Sequence, residues 1–169
     1  MSRKSAVATM FGVVLVFAMC NSRATYAAPP KDACSLLTPA QVNAALGVAV
    51  GPAKQAGDRF SCQWSEPGAN LMRGKGLFVH IVGPVGTLTP AEQFNAIKMP
   101  LPVKGITKTP LSGVGDDAVY GTAGASAPEL TVKKGNFVFQ IRIQGFPRNQ
   151  INLIEAKEKT LAQDVLAKL

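Results

Sequence analysis

Residues 130–144 read Leu130-Thr131-Val132-Lys133-Lys134-Gly135-Asn136-Phe137-Val138-Phe139-Gln140-Ile141-Arg142-Ile143-Gln144. Phe137, Phe139, Ile141 and Ile143 recur at period two, with Gln140, Arg142 and Gln144 between them. Successive strand side chains point to opposite faces, so this segment predicts a strand with one covered and one polar face. That alternation belongs to antiparallel sheets, whereas strands of parallel sheets are apolar on both sides. Leu130 to Lys133 is its simplest partner, through a hairpin at Lys134-Gly135-Asn136.

Working outward, Phe60, Cys62 and Trp64 alternate with Ser61, Gln63 and Ser65, and Phe78 to Val82 is a further strand. Ala118 to Gly121 forms a shorter strand after the turn Gly113-Val114-Gly115-Asp116-Asp117. Helices are announced by Thr38-Pro39-Ala40-Gln41 and Thr89-Pro90-Ala91-Glu92. In each, threonine can cap, proline suits the first turn, and Gln or Glu completes a capping box. After Pro147, the residues Ile151, Ile154, Leu161, Val165 and Leu169 follow helical spacing, with Glu155 and Lys159 placed for an i,i+4 pair. The order helix, strands, helix, strands, helix predicts an α+β domain, an antiparallel sheet with helices mainly on one face.

The two capped helices begin 51 residues apart. Phe78-Val79-His80-Ile81-Val82-Gly83 is echoed by Phe139-Gln140-Ile141-Arg142-Ile143-Gln144-Gly145, 61 residues on. Two related helix-then-strands halves plus a C-terminal helix are one explanation, with a loop from Pro100 to Leu111 absorbing the difference. Chance recurrence of capping signals is the other.

The amino terminus carries Arg3 and Lys4, then an apolar run from Ala6 to Met19, then Thr25-Tyr26-Ala27. That run is shorter than the roughly 20 residues that cross a bilayer core, and the pattern is that of a secretory signal peptide cleaved after Ala27. Cys20 follows the apolar run where a lipidated cysteine would lie, but the bulky Met19 before it fits the lipoprotein pattern poorly. Residues 28–33 are expected to be a flexible lead-in and 34–169 a single domain. Cleavage removes Arg3, Lys4 and Arg23 from the 169-residue chain and lowers its formal charge from +8 to +5. The remaining basic residues are scattered, without the aromatic-interleaved stripe of a nucleic-acid surface, and no later segment is apolar enough to span a membrane. A residual positive charge favours anionic partners.

Processing also leaves two cysteines, Cys34 and Cys62. In an oxidising compartment an even pair is most simply a disulfide, worth about 3 kcal/mol for a loop of about 28 residues.

Chemistry is harder to find. His80 is the only histidine, and its place in an apolar alternation makes it a packed or sheet-face residue first. A hydrolase using His80 or Asp116 and Asp117 can be drawn, yet no serine sits in a nucleophile-elbow sequence. Asp116-Asp117 reads first as a turn device. Zinc and EF-hand calcium lack their ligand patterns. Gly113-Val114-Gly115 and Gly74-Lys75-Gly76 lack the rest of a phosphate-binding fingerprint, so no cofactor is expected. The candidate ligand residues are Arg142 on the polar strand face, Tyr120, Asp116, Asp117 and Lys104. They suit a binding or interaction module, meeting an envelope protein or a small, anionic ligand, with the polar sheet face or the loops at 100–116 as its surface. An inhibitor of an envelope enzyme would present the proline-rich loop 100–111.

Asp32-Ala33-Cys34-Ser35-Leu36-Leu37-Thr38 before a helix ending Leu46-Gly47, then Cys62-Gln63-Trp64, then Val114-Gly115-Asp116-Asp117-Ala118, resembles a family of small secreted bacterial domains of unknown function. Many actinobacterial members are lipoproteins. The resemblance spans most of the chain after the signal segment, through short and non-catalytic motifs. It implies a bacterial envelope setting, an α+β fold and a Cys34–Cys62 bridge, but no reaction.

Overall fold

The computed structural model describes residues 30, 32–69, 74–123 and 127–169. The expected signal segment 1–27 and residues 28, 29 and 31 of the expected lead-in lie outside the described residues. Among the described residues, three α-helices and seven strands follow in the order α1 (Pro39–Leu46), β1 (Lys54–Ala56), β2 (Asp58–Ser65), β3 (Gly76–Ile81), α2 (Pro90–Lys98), β4 (Ile106–Leu111), β5 (Asp117–Ala123), β6 (Glu129–Lys134), β7 (Phe137–Gln144) and α3 (Ile151–Leu166). The fold is α+β.

Local signals start the first two helices as expected. The Thr38 hydroxyl accepts the Gln41 amide at 3.3 Å, and the Gln41 side chain accepts the Thr38 amide at 2.9 Å. Thr89 and Glu92 repeat the arrangement at 3.3 and 2.7 Å. Each box satisfies two of the donors that a helix start leaves without intrahelical acceptors. Gly47, at φ +68°, ends α1 in the left-handed region that a side chain would disfavour.

The strands form one antiparallel sheet in the order β1-β2-β3-β7-β6-β5-β4. Two meanders, β1–β3 and β4–β7, are thus joined side by side through β3 and β7. On one face, Trp64, Leu77, Val79, Leu130, Val132, Phe139, Ile141 and Ile143 are buried with Val42 and Leu46 of α1 and Leu161 and Val165 of α3. The Cys34–Cys62 disulfide, with Cα atoms 5.0 Å apart, ties a short helical turn at Ala33–Ser35 to β2 within this layer. On the other face, α2 places Phe94 and Ile97 against Val82, Val119 and Val138.

Several expectations are corrected. The ordered domain reaches back into the lead-in: Ala33 is fully buried and the Asp32 carboxylate accepts the Cys34 amide at 2.9 Å. The segment Ile106–Leu111, expected as loop, is edge strand β4. Pro110 is tolerated because an edge strand has ladder partners on one side only. Strand β1, three residues long, had no alternation to announce it. A short turn at Arg148–Gln150 separates Pro147 from α3, and Glu155 and Lys159 make no ion pair among the described residues.

The β3–β7 seam has three strands on one side and four on the other, and the helices do not repeat about it either. A two-fold axis relating antiparallel neighbours stands perpendicular to the sheet and preserves its faces, whereas α1 and α2 lie on opposite faces. The strand echo fails in the same way. Phe78 pairs with Arg142 on the polar face, while Phe139 belongs to the buried one.

Candidate functional site

Because α2 covers only part of its face, cross-strand rows remain beside it. One row runs through Ser61, His80, Gln140 and Thr131; the next runs through Gln63, Phe78 and Arg142, then Glu129, Gly121 and Lys108. Strand register, not proximity in sequence, brings these side chains together.

Arg142 is braced from two sides. Its guanidinium stands 5.3 Å from the centre of the Phe78 ring, and its Nη1 lies 3.8 Å from Glu129 Oε2. That separation exceeds hydrogen-bond length, so the pair is a loose ion contact. The other Glu129 oxygen accepts the Gln140 amide nitrogen at 3.0 Å. Across the row, Lys108 lies over Gly121, where an added Cβ would come within 2.8 Å of the Lys108 Nζ. Arg142, Lys108 and Glu129 line an open cavity of about 290 Å³ whose wall includes Leu101 and Ile106.

The remaining candidates do not converge on it. Tyr120 points to the sealed face, where its hydroxyl donates to the Glu155 carbonyl and burial, followed by Glu158 and Glu155, pushes the phenol's pKa up. The expected gathering of Tyr120 with Arg142 is therefore absent. Lys104 is exposed between α2 and β4 and lines no part of the cavity; Lys108 takes the place expected for it. The loop expected over 100–111 is shortened to the stretch before β4, where Met99, Leu101 and Val103 are exposed.

Asp116 and Asp117 are neighbours with separate tasks. Asp116 accepts the Gly135 amide at 2.7 Å and the Lys134 ammonium at 2.8 Å, and these bonds, the amide first, hold its pKa below the usual carboxylate range. It fastens the turn before β5 to the β6–β7 hairpin. Gly115 permits that approach, since it has φ +62° and a Cβ there would come within 2.5 Å of the Lys133 carbonyl oxygen. Asp117 instead pairs with Lys98 of α2 at 2.5 Å. Asp116 was expected to bond nearby backbone amides of its own turn; its partners instead lie on the neighbouring β6–β7 hairpin.

His80 is half-buried on the polar face, its Nδ1 3.0 Å from the Ser61 hydroxyl. No carboxylate bonds His80 among the described residues, and neither Asp116 nor Asp117 joins it. No group of three or more His, Cys, Asp or Glu side chains is placed to hold a metal ion, and no helix is long and apolar enough to cross a membrane, among the described residues.

One titratable group escaped sequence reasoning. Glu158 of α3 is fully buried on the sealed face. Its Oε1 accepts the Ile143 amide at 2.8 Å, while Oε2 has no partner among the described residues. Burial, reinforced by Glu129 and Glu155 and opposed by the Ile143 bond and Arg142, pushes its pKa up to about 9. The pairing of β6 with β7 ends at Leu130↔Ile141, so Glu158 serves a β7 amide beyond that ladder. Its signal was its position between Ile154 and Leu161 in the apolar stripe of α3.

No protein-family model, curated protein or solved structure matches this chain.

Proposed function

We propose that this protein is an exported, non-enzymatic binding module of the bacterial envelope, and that it meets its ligand through the polar sheet face around Arg142. The observation that carries the proposal is the half-covered second face. Helix α2 seals Val82, Val119 and Val138, and the neighbouring rows carry a guanidinium held by Phe78 and Glu129 beside a cavity. Shallow concavities with a few oriented polar groups suit recognition. The export reading draws on the amino-terminal pattern and is consistent with the Cys34–Cys62 bridge. The resemblance to small secreted bacterial domains agrees with both.

The test has two parts. Mass spectrometry of the protein recovered from its producing cell should give a chain beginning at Ala28. Thermal shifts measured against fractionated envelope extract should then be lost in Arg142→Gln and retained in Lys104→Gln. Equal shifts in the Arg142 variant and the unaltered protein would remove this face from the proposal.

The Ser61–His80 hydrogen bond supports a second reading, a small hydrolase with Ser61 as nucleophile and His80 as base. The imidazole lacks an orienting carboxylate among the described residues, which weakens it. Ester hydrolysis that disappears in both Ser61→Ala and His80→Gln would favour the hydrolase over the binding module.

A further inference from the structure

We infer that the cavity between Arg142 and Lys108 takes a small molecule with an oxyanion head, carboxylate or phosphate, and a short apolar tail. This deepens the binding-module proposal and rests on its choice of face.

Charge comes first. The cavity wall holds two cations and one carboxylate, and the carboxylate is only loosely engaged: Arg142 stands 3.8 Å from Glu129, and one Glu129 oxygen is occupied by Gln140. Neither the Arg142 guanidinium nor the Lys108 ammonium makes a hydrogen bond to a described residue, and Lys108 has no ion pair among them. Their donors are unspent. A guanidinium matches a carboxylate or phosphate with paired N–H donors, and such charge-assisted bonds are the strong ones.

Orientation comes second. The Phe78 ring, its centre 5.3 Å from the guanidinium carbon, attracts the Arg142 cation to this side of the row. The absent side chain at Gly121 lets Lys108 lie along the row toward β6 and Arg142. Both cations thereby border one opening.

Size and polarity set the rest. A volume of about 290 Å³ suits a few carbon atoms and a head group, and Leu101 and Ile106 give the wall an apolar side. An inorganic ion would leave that side unused.

The experiment follows the amide resonances of Gly121, Thr122, Glu129 and Arg142 while the purified protein is titrated separately with hexanoate, hexyl phosphate and hexanol. Hexanoate or hexyl phosphate should move these resonances saturably, the tighter of the two identifying the head group, and hexanol should not. Arg142→Gln and Lys108→Gln should each weaken binding about tenfold or more, as expected for loss of a charge-assisted bond. Gly121→Ala should weaken it several-fold while leaving both charges in place, because the new methyl displaces only the flexible end of Lys108. Glu129→Gln should tighten it, an outcome that a merely destabilised protein would not give. An equal response to hexanol, or binding indifferent to Arg142→Gln and Lys108→Gln, overturns the inference. So does silence toward both acids. In that case thermal shifts with envelope extract that still depend on Arg142 leave the binding-module proposal standing, and their loss of that dependence ends it as well.

Discussion

The two faces of this sheet treat a glutamate in opposite ways. On the sealed face Glu158 lies under α3 with no exposed surface, and burial lifts its pKa to about 9, so it is neutral at ordinary pH. On the half-covered face Glu129 keeps 30% of its side chain exposed and faces Arg142 across 3.8 Å. Both serve β7, one by accepting a main-chain amide and the other by bracing a side chain. What differs is water. The sealed face removes a charge to preserve packing, whereas the half-covered face keeps charges that a ligand could meet.

That contrast can be broken most forcefully through packing. Phe139→Ala on the sealed face should cost about 3–5 kcal/mol, the range for emptying a buried aromatic site, whereas Phe78→Ala on the other face should cost far less. Urea unfolding followed by the emission of Trp64, the only tryptophan and fully buried, would measure both. Similar losses from the two would erase the distinction. Replacing Cys34 and Cys62 by serine together should cost about 3 kcal/mol on the loop-entropy account, read in the same assay against the disulfide-bonded protein, whereas the reduced protein should match the variant.

The titration of Glu158 sharpens the comparison further. Its folded pKa lies above the unfolded value of about 4.5, so the folded state holds a proton that the unfolded state gives up. The favourable contribution is fully present below pH 4.5 and is lost as pH rises toward 9, by at most about 1.4 kcal/mol per pH unit. Glu158→Gln should flatten that slope and be the more stable protein at pH 8. Parallel pH profiles for the two proteins would contradict the assigned burial. The smallest effect is expected from Asp116→Asn, which should leave the urea midpoint nearly unchanged yet speed amide hydrogen exchange at Gly135.

Features written locally were legible in the sequence. The capping boxes at Thr38 and Thr89, the hairpin at Gly135-Asn136 and the alternation of β7 each depend on residues close together in the chain, and all three appear where expected. The pairing of Cys34 with Cys62 needed only a count and a compartment. Features that depend on register were not legible. Nothing near Lys108, Gly121 or Glu129 reveals that strand pairing sets them in a row with Arg142, and Lys104 was a reasonable substitute for Lys108. Strand β4 was hidden because Pro110 argues against a strand unless its edge position is known. Tyr120 looked like a ligand residue because the alternation in β5 is too short to assign its face. Glu158 was visible as a charged residue in an apolar stripe, but only its depth beneath α3 gives that placement meaning.

The ends of the sheet carry a last consequence. Strand β1 has three residues and a slip in register at Gln55/Ala56, and β4 includes Pro110, which has no amide hydrogen. Neither border offers a long, regular row of main-chain donors to template an incoming strand. Growth of the sheet into fibres, or capture of an extended peptide by strand addition, is discouraged at both margins.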